Sequence, residues 1–247
     1  MTHPADSART LPERLAALAT GIAAAVVVIG IAILPFLTPA WVSFEQGRAE
    51  AAAWTGYSDA DLSQATNAIL HDLVVGPPEF AVEVGGRPVL EERERSHMRD
   101  VRGVFAGFYL LAGIAAAGLV VLVAGARRMG HPERAWSAIA AGMRGLIVGV
   151  VVAGVVAALA FDQLFELFHE LFFPAGSFTF DPRTDRLVQL FPFDFWSETT
   201  IVLGAVIVVS AAIVFVAARR LARRAVSGRE ASRRPEAARP VRPEAAR

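Results

Sequence analysis

Four stretches of this chain, residues 15–37, 104–126, 145–165 and 199–218, are apolar almost throughout and carry a single charge between them, Asp162. A helix rising 1.5 Å per residue needs about 20 such residues to cross a hydrocarbon core of roughly 30 Å. Backbone polar groups in that core must pair within their own segment, so each stretch is expected to be a transmembrane helix. Composition agrees: 54% of residues are hydrophobic and 19% charged, with a mean hydropathy of +0.45, against roughly a quarter charged in soluble domains. The first stretch follows Arg9 and Arg14 but is longer than the roughly 7–15 apolar residues of a secretory signal, so it reads as an uncleaved first span. The expected fold class is an α-helical polytopic membrane protein of four spans.

The net charge is zero, yet every one of the 24 basic residues is arginine, and their placement is uneven. Two precede the first span, four (Arg127, Arg128, Arg134, Arg144) lie between spans two and three, and ten follow span four, against eight in the other two loops. The positive-inside rule then predicts a cytoplasmic N-terminus (1–14), a cytoplasmic loop (127–144) and a cytoplasmic Arg-rich tail (219–247), with loops 38–103 and 166–198 outside. The tail repeats PEAAR and is expected to be disordered. Balanced charge gives no reason to expect a nucleic-acid partner. Cysteine is absent, which removes disulfides, thiolate metal sites and cysteine catalysis together.

The loop 38–103 is long enough for a small α+β cap. Leu62, Ala65, Ile69, Leu70 and Leu73 recur at helical spacing behind Ser58 and Asp59, which can cap the helix. Phe80 to Leu90 alternates about Gly85-Gly86, the signature of a tight hairpin. From Glu91 a helical pattern runs unbroken through His97 into span two.

Ionisable residues packed against a span are costly and default to functional candidates. Glu94, His97 and Asp100 recur every three residues. At the far end of span three, Glu166 and Asp162 lie three and seven residues before His169, which stands among Phe165, Phe168, Phe172 and Phe173. Both histidines fall at span ends on the same side of the membrane, where each can serve as an acid or base with a carboxylate to orient it. Plainer readings coexist: a solvated charged helix start at His97, and an interfacial anchor at His169 within an aromatic belt. Residues 165–196 hold 10 aromatics in 32 positions; these are an anchoring belt, or else a hydrophobic groove that opens sideways to the outer leaflet. His71 also falls outside, but the three histidines lie on separate elements without HExxH spacing, so no metal is expected.

The run Glu92-Arg-Glu-Arg-Ser-His97-Met-Arg-Asp100-Val101 before span two, Phe168-His169-Glu-Leu-Phe-Phe173, the turn Phe178-Thr-Phe180-Asp-Pro182 and Leu190-Phe-Pro-Phe-Asp-Phe-Trp196 resemble the bacterial lipoprotein intramolecular transacylase family. The similarity covers about residues 15–218, with departures at Phe178 and Phe193. It implies a cell-membrane acyltransferase that moves an acyl chain from the diacylglyceryl group of a lipoprotein to the α-amino group of its N-terminal cysteine, leaving the lyso form. The implied substrate is a diacylated lipoprotein presented within membrane lipid, with no cofactor; the oligomeric state is not implied. His97 and His169 match the catalytic pair. His97 is assigned as general base, supported by Glu94 or Asp100, and His169, near Glu166, as the group that steadies or protonates the leaving oxygen. Phe172, Phe173, Phe193 and Trp196 are assigned to substrate binding. An intramolecular transfer can rely on positioning instead of an acyl-enzyme, so Ser96, adjacent to His97 on the helix, is not needed as a nucleophile. A metal- or pH-sensing membrane module and a non-catalytic scaffold remain as alternatives from the residues alone.

Overall fold

The computed structural model describes residues 10–237. Four long helices have the length and apolarity to cross a membrane. They are α1 (Leu11–Ile33) with a 3₁₀ turn at Leu34–Leu37, α5 (Glu92–Arg128), α6 (Pro132–Phe172) and α8 (Phe193–Ala237). Each contains one of the four apolar stretches. Helix α1 packs against α5, α6 and α8, and α6 lies along α8. Apolar side chains facing lipid gain nothing by mutual burial, so small residues decide where such helices touch. Gly21 and Gly142 mark the α1–α6 crossing: a Cβ on Gly142 would lie 2.6 Å from the Gly21 Cα. The charged ends are fastened separately, as in the ion pair between Glu13 and Arg134.

At one end of the bundle stands the cap, built from α2 (Pro39–Arg48), α3 (Ala51–Thr55), α4 (Asp59–Val74) and a hairpin of β1 (Glu83–Val84) with β2 (Arg87–Pro88). Ser58 caps α4 by accepting from the Asp61 N–H. The strands pair Glu83 with Pro88 and Val84 with Arg87, and Gly85 and Gly86 both have positive φ, as a two-residue hairpin turn of this hand requires. The cap is not made by loop 38–103 alone. Leu187 and Leu190, on α7 (Arg186–Leu190) between spans three and four, complete the core formed by Leu62, Ala65, Ile69, Phe80, Val89 and Met98. A five-residue helix offers too short a pattern for its hydrophobic face to be read from sequence.

Two boundaries differ from expectation. Helices α5 and α6 are separated by residues 129–131 only, because Gly130 takes a left-handed conformation and Pro132 opens the next helix. Helix α8 continues to Ala237, so residues 219–237 are helical where a disordered tail is expected from 219; residues 238–247 of that tail, and residues 1–9, lie outside the described part. Alanine, leucine and arginine favour helix, and Arg229 anchors this extension to the Gly130 carbonyl and to Glu133.

Candidate active site

Helix α5 begins at the cap and delivers His97 near its first turns. The capping box that starts it uses Glu94, which accepts from the Glu91 N–H at 2.7 Å. The other carboxylate oxygen accepts from the Leu187 N–H at 2.6 Å, across 93 residues of chain. Glu94 is only 1% exposed, and burial raises its pKa against the lowering effect of those two backbone donors. It therefore pins α7 to α5 and is not hydrogen-bonded to His97. Equal spacing along a helix defines a face, but side chains lean toward the N-terminus, and Glu94 is taken by loop-three backbone.

His169 comes from the far part of α6. Ala160 breaks the helix with φ −152° and ψ 49°, so residues 161–172 form a separately directed end segment. This brings the His169 ring to 5.9 Å from that of His97, nearly parallel at 22°. The His169 Nδ1 lies 2.7 Å from the Phe165 carbonyl oxygen. A carbonyl only accepts, so Nδ1 carries the hydrogen and the Nε2 lone pair is left for chemistry in the neutral ring. His97 is buried at 5% exposure, and its Nδ1 is buried without a hydrogen-bond partner. This residue lies seven positions before the apolar stretch of span two. Burial, reinforced by the neighbouring His169 and opposed by Asp100, lowers its pKa to about 4, so it is neutral at pH 7.

Of the residues assigned from sequence, the two imidazoles and Phe173 meet. Phe173 is 7% exposed and its ring lies 4.7 Å from His97 and 5.3 Å from His169. Asp100 is half-buried and acts on His97 through its charge alone, while Glu166 is exposed and makes no hydrogen bond to His169. Ser96 is exposed, away from its buried neighbour. Phe172, Phe193 and Trp196 are 47%, 53% and 41% exposed. Phe193 packs edge-on against Phe161 at 5.2 Å and Trp196 lies 6.3 Å from Phe165, so an aromatic track leads from His169 to the surface. His71 stands apart beside Asp72, and among the described residues no three potential metal ligands cluster.

Loop three closes the site with rings that the sequence marks only as part of the aromatic-rich segment 165–196. Phe178 lies tilted at 5.3 Å from His169, and Phe180 packs edge-on at 5.4 Å against His97. Arg93 lies over the Phe180 ring at 5.0 Å, donates to the Thr179 carbonyl at 3.0 Å and pairs with buried Asp185 at 2.6 Å. Its position four residues before His97 was the available signal, but its partners are more than 80 residues distant.

These features define a class: an integral membrane protein with a pair of buried-to-half-buried imidazoles, walled by aromatic rings, where a bundle of four spans meets its cap. The sequence model for lipoprotein intramolecular transacylase Lit matches residues 17–196. The chain belongs to the lipoprotein intramolecular transacylase family, and it is accordingly a membrane enzyme, an acyltransferase of lipoproteins. The sensor and scaffold alternatives give way to that assignment.

The fold is that of the membrane-integral lipoprotein intramolecular transacylase Lit from Bacillus cereus, with 15% identity and a TM-score of 0.69 over 89% of this chain and 98% of that one. Variants of the same protein with one histidine changed to arginine or to alanine match at TM-scores of 0.69 and 0.68 and 16% identity, covering 90% and 86% of this chain and 95% and 94% of theirs. No curated protein matches the chain.

Proposed function

We propose that His97 and His169 are the catalytic groups, working at the outer-leaflet end of the bundle with both termini in the cytoplasm, and that they move the acyl chain within one diacylglyceryl lipoprotein. The uneven distribution of arginine supports this orientation. The α-amine of the N-terminal cysteine attacks the ester carbonyl; the amide C–N bond forms, the ester C–O bond breaks, and the amine's proton ends on the released glyceryl oxygen. One observation carries the assignment: two stacked imidazoles, one with a fixed tautomer and one with an unpartnered buried nitrogen, share one pocket.

The hydrogen bonding favours a division of labour opposite to the one drawn from sequence. His169 is the base, because its Nε2 lone pair is available and the Phe165 carbonyl steadies the imidazolium that forms. The same ring then returns the proton to the leaving oxygen. His97, neutral and desolvated, serves better as a hydrogen-bond donor to the carbonyl oxygen as negative charge develops there. Phe172, Phe173, Phe193 and Trp196 hold the acyl chains beside the pair.

The test is expression in a host without other lipoprotein N-acylation, followed by fragmentation mass spectrometry of a lipoprotein N-terminal peptide. One chain on nitrogen and one on the glyceryl group is expected. His97→Ala and His169→Ala should each slow that conversion by about 10²–10⁴, and His71→Ala by far less. Full activity in either of the first two variants would remove that residue from the mechanism.

A further inference from the structure

At the end of the bundle opposite the histidines, residues of α6 and α8 line an open cleft of about 740 Å³. Its walls carry three guanidinium groups, Arg144, Arg219 and Arg223, together with Ser137, Ser227 and the Phe215 ring. Arg219 lies over Phe215 at 5.5 Å; among the described residues none of the three arginines has a carboxylate partner. The one acidic residue in the wall, Glu133, is already held by Arg229 and by the His131 ring at 3.3 Å. The cleft is therefore strongly cationic.

Its depth is set by the chain. Arg144 directly precedes the apolar stretch 145–165, and Arg219 directly follows 199–218, so both stand where hydrocarbon gives way to headgroups. Planar guanidinium forks suit phosphate oxygens, the exposed Ser137 hydroxyl can donate to a glycerol or phosphate oxygen while that of Ser227 is held by the Arg223 carbonyl, and Phe215 provides an apolar floor on the membrane side. Basic pockets between spanning helices at this level suit anionic headgroups.

We propose that this cleft binds the phosphodiester headgroup of an anionic phospholipid, as a site separate from the catalytic pair. A soluble phosphate would meet the same charges, but the placement of the arginines at the edge of two apolar stretches favours a ligand anchored in the bilayer.

The experiment uses the full chain in nanodiscs of phosphatidylcholine containing a minor fraction of phosphatidylglycerol, with retained lipid counted by native mass spectrometry and affinity obtained by varying that fraction. Retention of phosphatidylglycerol over phosphatidylcholine is expected. Arg144→Gln, Arg219→Gln and Arg223→Gln should each weaken it about fivefold, whereas Arg183→Gln, at the other end, should leave it unchanged. All three arginines are exposed, so the substitutions spare the fold, which thermal unfolding verifies. Equal retention of both lipids, or unchanged retention in the three variants, would overturn the site. Displacement of the lipid by millimolar inorganic phosphate would overturn its assignment to a bilayer ligand.

Discussion

Burial gives His97 a direct electrostatic consequence. Its imidazole is buried between Phe173, Phe180 and His169, and desolvation favours the uncharged ring. The folded-state pKa of about 4 lies below the usual value of 6.5. Between those two values the unfolded chain binds more protons than the folded one, so stability falls as pH drops through that window and levels off below it. An isotope-labelled histidine spectrum, assigned by difference with His97→Ala, should show one imidazole titrating near 4. A resonance that instead titrates near 6.5 would mean that water reaches the ring and that its role as a neutral donor fails.

At the scale of elements, the positions that matter most are those where two backbones meet. Gly142 faces the Gly21 backbone, and a methyl group there would meet main-chain atoms that cannot rotate away. Gly142→Leu should therefore separate α1 from α6 and lower stability by about 1–3 kcal/mol or more, read as a fall in thermal midpoint in detergent. Gly145→Ala, three residues further on, meets nothing within 4 Å and should be neutral or mildly stabilising. A midpoint for Gly142→Leu no lower than that of Gly145→Ala would mean that close approach to Gly21 does not govern this crossing. The α5–α7 junction obeys the same logic in polar form. Glu94 and Arg93 together hold loop three over the two imidazoles, so the lid of the site is fastened by residues from the helix that bears His97.

For the whole molecule, an aromatic track runs from His169 toward Phe193 and Trp196, and under the proposed function it is the path of the lipid-anchored substrate. Phe172 and Phe193 are about half exposed, so a polar side chain at either position leaves the core intact. Phe172→Gln or Phe193→Gln should raise the apparent KM for diacylated lipoprotein, or shorten the accepted acyl chain, with kcat little changed. Unaltered kinetics across acyl lengths in both variants would leave these rings as membrane anchors and place the acyl chains elsewhere. The histidines and the arginine cleft lie at opposite ends of the bundle, so substitutions in the cleft are not expected to act on the chemistry through direct contact.

Local pattern determined much of this protein. The lengths of four apolar stretches dictated four helices, Gly85-Gly86 dictated the hairpin, Ser58 marked the start of the cap helix, and counting spans put His97 and His169 at the same end of the bundle. Those features depend on neighbours within a few residues, where periodicity and capping act. Only tertiary structure decided the rest. Helical spacing assigns a residue to a face without setting the rotation of the helix, so it could not show that Glu94 turns to Leu187 and leaves His97 unpaired. Nor could it show the break at Ala160 that aims His169 at His97, the insertion of α7 into the cap, or the contact of Gly21 with Gly142. Each joins segments dozens of residues apart or more, or re-aims one toward another, and it was packing between segments, not preference within one, that selected it.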